Sequence, residues 1–210
     1  MSKLLKLLKE KPLTLIVHLP ENSVEMAQAA EASGADALLV THGEDEEEIL
    51  KAVSIPVGLD VDKALPKQVE KKLELKFDFL NFHPDVLEHY GKLKKTKIVA
   101  LDDTFTLDKL MNIGDKPIDG IDAAIIPINQ EGRELIVGDL QNYIAIALSS
   151  DLPVIIPTQR TIRVSEVPII WDTGVKGLIL TKVVLGDDTK SLIKTVKEYR
   201  AAIDDIDTEN

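Results

Sequence analysis

Eight short runs rich in Val, Ile and Leu recur along the chain, and their rhythm limits the fold more than any other feature. They are "LTLIVHLP" (13–20), "ADALLVTH" (35–42), "IPVGLDVD" (55–62), "FDFLNFHPD" (77–85), "TKIVALDD" (96–103), "DAAIIPIN" (122–129), "LPVIIPTQR" (152–160) and "VKGLILTKV" (175–183). Successive runs start roughly 23 residues apart, enough for a strand, a helix and two short turns in each unit. Most are continuously apolar rather than alternating, the pattern of parallel strands covered on both faces.

Helical signatures lie between the runs. "NSVEMAQAAEASG" (22–34) offers Asn22 or Ser23 as N-cap, an acid in the first turn and Gly34 at the stop. "GEDEEEILKAVS" (43–54) crowds acids at its start, where the helix dipole favours them. In "GDDTKSLIKTVKEYRAAI" (186–203), Leu192, Val196, Tyr199 and Ile203 share one face. Asp85 and Pro84 read as the cap and first residue of the helix after the fourth run. Residues 1–11 read as a short basic amphipathic helix that covers an apolar surface or packs on a partner subunit, which leaves room for a homo-oligomer; an anchor at a membrane surface is the rival reading. Residues 204–210 read as a frayed tail.

The expected fold is therefore α/β: a single (β/α)8 TIM barrel over 1–210 with a short extra N-terminal helix. A doubly wound open sheet is the rival, but no GxGxxG follows the first run. The loop 130–138, "QEGRELIVG", is one of the longer connections and is expected either to act as a lid or to be an ordinary exposed turn.

A net charge of −11 argues against broad binding to nucleic acid or to an anionic membrane, since phosphate surfaces attract Lys and Arg. With no cysteine, thiolate metal sites, cysteine nucleophiles and disulfides are excluded. No apolar run approaches the roughly 18 residues of a membrane span, and the cytoplasm is the expected location.

In a barrel of this kind chemistry sits at the C-terminal ends of the strands, so each run is read at its right-hand end. These ends offer His18, His42, Asp60, Asn81, His83, Asp102, Asn129, Arg160, Thr181 and Lys182. The expected catalytic set is Asp60, His83, Asp102 and His18, which mixes proton donors and acceptors as acid–base chemistry requires. Asn81, Asn129, Arg160, Thr181 and Lys182 are the expected substrate-binding set. Asn81 and His83 share strand parity, so both point to one face. The bland alternative is a structural network in which Asp60 or Asp102 pairs with Arg160 or Lys182.

The stretch "LIVHLPENSVEMAQAAEASGADALLVTHGEDEEEILKAVSIPVGLDV" resembles the start of the N-acetylmannosamine-6-phosphate 2-epimerase family, one of the phosphate-binding (ribulose-phosphate-type) barrels. "LPVIIPTQRTIRVSEVPIIWDTGVKGLILTKVVLG" has the corresponding C-terminal layout. The resemblance implies a TIM barrel and places Arg160 at the arginine of the family's EGR motif. The family's catalytic lysine position is Val61, and the glutamate and glycine of EGR are Thr158 and Gln159. The fold is therefore implied, but the epimerase chemistry is not.

The expected function is an enzyme of the isomerase, epimerase or lyase class acting by proton transfer on a small anionic carbonyl compound, a sugar phosphate being one candidate, with no cofactor. Lys182 as a Schiff-base nucleophile is a minor variant of it. Two other classes stand beside it. One is a barrel that binds a ligand or partner without catalysis. The other is a divalent-metal hydrolase using His18, His42, His83 and Asp102, which are suitable ligand types although no spacing in the sequence joins them.

Overall fold

A computed structural model describes residues 2–208. Its eight strands are β1 (Thr14–His18), β2 (Ala37–Thr41), β3 (Val57–Asp62), β4 (Phe79–Phe82), β5 (Thr96–Ala100), β6 (Gly120–Asp122), β7 (Val154–Pro157) and β8 (Gly177–Leu180). They close in chain order into one parallel barrel, with β8 returning to β1. This is the (β/α)8 architecture expected from the eight runs. Ten α-helices are described: α1 (Lys3–Glu10), α2 (Val24–Ala32), α3 (Glu46–Ala52), α4 (Glu70–Leu73), α5 (Leu87–Tyr90), α6 (Leu107–Gly114), α7 (Val137–Leu148), α8 (Val167–Asp172), α9 (Lys182–Leu185) and α10 (Thr189–Thr208). None is long and apolar enough to cross a membrane.

Strand parity divides the buried residues into two cores. One face of each strand packs on the helices. The other fills the barrel lumen, where Ile16, Ala37, Leu39, Phe79, Ile98, Ile155 and Ile179 form a separate apolar cluster. Register explains its packing: Phe79 lies beside Gly58, and a Cβ at Gly58 would come within 2.2 Å of the Phe79 ring. The missing side chain on β3 is what admits the phenyl group. Two residues further along β1, β3, β4 and β6 the same lumen face carries His18, Asp60, Asn81 and Asp122. The lumen thus changes from apolar to polar towards the strands' C-terminal ends.

Helix α1 closes the opposite end. Leu4 and Leu8 enter the lumen cluster, and Asp78, just before β4, accepts the backbone N–H groups of Lys3 (3.0 Å) and Leu4 (2.8 Å). Those amides have no partner within the helix, so the carboxylate acts as an N-terminal cap. Residue 1 of the expected helix lies outside the described residues. At the other terminus, α10 continues through the stretch expected to fray. Ile206 is buried, and Arg200 pairs with Asp204 at 2.9 Å, one turn on. Residues 209 and 210 lie outside the described residues.

Candidate active site

A cavity of about 620 Å3 opens at the C-terminal mouth of the barrel. Its floor is Asp122 and Asn81, each 4% exposed. Asn81 Nδ2 donates to Asp122 Oδ2 at 3.0 Å. Burial pushes the Asp122 carboxyl up to about 7, against the downward pull of the Asn81 bond, and the charge of Asp60 adds to the rise. A carboxyl that titrates near neutrality can either give or take a proton there. Asn81 Oδ1 and Asp122 Oδ1 are buried with no hydrogen-bond partner among the described residues.

Asp60 and His18 stand on the wall. A bulge between Asp60 and Asp62 re-aims the end of β3, Asp62 takes a positive φ of 45°, and its N–H donates to Asp60 Oδ1 at 3.1 Å. His18 Nε2 lies 3.0 Å from Thr41 Oγ1 and 4.0 Å from Asp60 Oδ2. Burial lowers the His18 pKa, partly offset by Asp60, and burial raises that of Asp60, partly offset by His18. Each ring or carboxyl is thereby moved towards its neutral form.

His83 and Asp102 form a bridge between the ends of β4 and β5. His83 Nε2 lies 2.8 Å from Asp102 Oδ2, and Asp85 N–H donates to His83 Nδ1 at 3.2 Å. With Nδ1 accepting, the neutral ring carries its proton on Nε2 and donates to Asp102. The Thr104 hydroxyl and N–H donate to Asp102 Oδ1 at 2.6 and 2.9 Å. The Thr104 hydroxyl first, then the bond from His83, holds the Asp102 carboxyl down at about 2. Both ring nitrogens of His83 are therefore occupied. His83, not Asp85, caps the short turn Pro84–Val86, because the histidine ring reaches the amide first while Asp85 pairs with Lys63 at 3.3 Å.

Several strand-end residues point elsewhere. Arg160 is buried away from the cavity: Nε and Nη2 donate to Asp139 at 2.8 and 3.1 Å, and Nη1 and Nη2 donate to the Gln130 carbonyl and side-chain oxygens at 3.1 and 2.7 Å. Its fork is fully engaged by α7 and the β6–α7 loop, which replaces the expected pairing with Asp60 or Asp102. Asn129 is exposed on a short turn outside the cavity, because β6 already ends at Asp122. His42 is exposed and lines a separate cleft with Asn22 and Glu44. Among the described residues no three His, Asp or Glu side chains gather to hold a metal ion, so His18, His42, His83 and Asp102 do not form the set considered from the sequence. Lys182 reaches the rim but pairs with Asp187.

The ends of β7 and β8 are tied to each other. Thr181 N–H donates to Thr158 Oγ1 at 2.8 Å, and Thr181 Oγ1 donates to the Thr158 carbonyl at 2.9 Å. These groups, which would otherwise face a ligand, already have partners. The loop 130–138 is fastened to the loop after β7. Gly132 N–H donates to the Gln159 carbonyl, and Thr161 N–H to that of Arg133, both at 2.8 Å. It is a strapped wall rather than a free lid.

The residue that sequence reasoning missed is Asp122. It opens the run "DAAIIPIN", yet it is the last residue of β6 rather than the first of a strand. The available signal was the parity of "GID", which sets Gly120 and Asp122 on the same face as Ile98 and Ala100 of β5.

No protein-family model matches the chain, and no curated protein does. Solved structures do. Phosphoribosyl anthranilate isomerase from Thermus thermophilus is 16% identical with a TM-score of 0.71, covering 92% of this chain and 100% of its own. The N-acetylmannosamine-6-phosphate 2-epimerase from Clostridium perfringens is 16% identical with a TM-score of 0.68, covering 86% and 90%. Tryptophan synthase from M. tuberculosis is 15% identical with a TM-score of 0.72, covering 96% and 98%. At such identities the likeness is one of fold alone: the chain is built as a (β/α)8 barrel like these three, as the resemblance read from the sequence implied.

Proposed function

We propose that the chain is an isomerase, epimerase or lyase that moves a proton on a small carbonyl compound at the barrel mouth. The observation that carries this reading is Asp122, a buried carboxyl at the floor of the cavity with a pKa of about 7. In its ionised form Asp122 takes a proton from the carbon next to the carbonyl. The Asp60–His18 pair gives a proton to the carbonyl oxygen, leaving a neutral enol. Where the deprotonated carbon bears a hydroxyl the enol is an enediol: a proton given to the former carbonyl carbon, with loss of the proton from that hydroxyl, moves the carbonyl and isomerises the compound, whereas a proton returned to the original carbon on its other face, with the enol proton given back, epimerises it. His83 and Asp102 are positioning residues here, since their mutual bond locks the loops after β4 and β5. Paired titratable groups pushed from their ordinary values inside a cleft are what such chemistry needs.

Solvent-hydrogen exchange tests the reading. The protein is incubated in heavy water with a panel of small ketones and aldoses, and deuterium incorporation is followed by proton NMR. Exchange is expected with at least one compound, and Asp122→Asn should slow it by about a hundredfold or more. Absence of exchange across the panel, or exchange undiminished in the folded variant, would refute the assignment.

A further inference from the structure

Among the described residues, exposed large apolar side chains gather on one flank of the barrel. Six of the nine lie on α6, on α7 and on the residue that caps α7: Leu107, Met111, Ile136, Val137, Ile144 and Leu148. Helix α6 packs beside α7, so the six share one surface. Their exposure runs from 40% at Ile144 to 82% at Leu148. At about 190 Å2 for such a residue fully exposed, they present on the order of 700 Å2 of apolar surface. That exceeds the roughly 300–600 Å2 of the largest patch on a typical monomer and approaches the roughly 800 Å2 that one partner gives a standard interface.

Charge sets this flank apart. The chain is 29% charged, yet the one charged residue of α7 is Asp139, which is buried against Arg160. Val137, Gln141, Ile144 and Leu148 recur at helical spacing along the outer face of α7. A chain of net charge −11 repels a second copy of itself over most of its surface, and on this uncharged face two copies meet without that cost. A basic partner calls for carboxylates here, and a bilayer surface calls for Lys and Arg. Helix α7 exposes neither.

Shape gives an independent reason. Beside the end of α7 lies an apolar groove of about 440 Å3, lined by Leu5 and Leu8 of α1 and by Ala147, Leu152, Pro153 and Gly174. Leu148, the most exposed of the six, follows Ala147 at the edge of this groove. An apolar knob next to an apolar hole suits a two-fold pairing, because the axis that brings one knob to its partner's hole brings the other knob as well.

We propose that the occupant of this flank is a second copy of the chain, paired about a two-fold axis with α7 against α7 and Leu148 of each copy seated in the groove of the other. None of the six residues lines the mouth, so the pairing stands apart from the proton-transfer reading.

Light scattering after size-exclusion chromatography of the full chain, loaded from about 1 to about 100 μM, tests it. The wild-type protein should approach twice the chain's 23.2 kDa as concentration rises. Leu148→Asp charges the knob and Ser150→Trp fills the groove, and each should halve that mass. Leu65→Asp charges an exposed leucine on the loop after β3 and should leave the mass unchanged. A monomeric wild-type chain at the highest concentration, an assembly larger than two, a folded Leu148→Asp or Ser150→Trp protein that stays dimeric, or loss of the dimer in Leu65→Asp would each overturn the proposal. Circular dichroism reports folding, and the wild-type measurement decides even where a variant does not fold. Cosedimentation of the wild-type protein with phosphatidylcholine vesicles would assign the flank to a lipid surface and overturn it as well.

Discussion

Replacing Asp122 with Asn should make the protein more stable, and increasingly so as pH rises. The folded carboxyl titrates at about 7 against an ordinary value of 3.8. Because the folded state holds this proton more tightly than the unfolded chain, stability falls as pH climbs from about 4 to about 7, and the loss is complete above that. A difference of roughly 3 pKa units corresponds to about 4 kcal/mol. Asn keeps the shape but never ionises, and its amide still carries a burial cost, so a net gain of about 2–4 kcal/mol is expected near pH 8 relative to pH 4. For a chain of this size that is roughly 5–15 °C in Tm. Urea unfolding of both proteins at the two pH values measures it. A wild-type-to-variant gap that is the same at both pH values would refute the claim that Asp122 is a buried, strained carboxyl. Stability gained together with exchange lost is the trade expected of a group kept for chemistry.

Two further outcomes follow from the contacts around the mouth. Arg160→Met leaves the Asp139 carboxylate buried without its partner and should cost about 3–5 kcal/mol, while Arg160→Met with Asp139→Leu should recover most of that in the same unfolding assay; a double variant as unstable as the single one would count against a buried ion pair. Thr104→Ala removes the main hydrogen bond holding Asp102 down, so its carboxyl should titrate well above about 2 by carbon-detected NMR; an unmoved titration would show that another group holds it.

The barrel was legible because a parallel strand buried on both faces must be continuously apolar, and eight such runs leave few other ways to close a sheet. That Asn81 and His83 share a face was legible from their parity, while parity alone does not say that the face is the inward one. Asp122 was not, because apolarity reports burial rather than pairing. Ala123, Ile125 and Ile126 are buried like strand residues, yet they lie beyond the end of β6. Arg160 misled for a related reason. A cation at a strand end reads as a ligand group, but its partner Asp139 sits on α7, and no periodicity links the two. The bond between His83 and Asp102 depends on the relative register of β4 and β5, which one strand's sequence does not encode.

The seat of helix α1 sets an order of assembly. Leu4 and Leu8 rest on side chains drawn from β1, β2, β4, β5, β7 and β8, and Asp78 supplies the helix's capping carboxylate. The complete seat therefore exists only after Ile179 is in place, near the far end of the chain. Helix α1 thus finds its full socket only through contacts of very long sequence separation, which form late. Until then its leucines stay uncovered, and the lower lumen stays open to water.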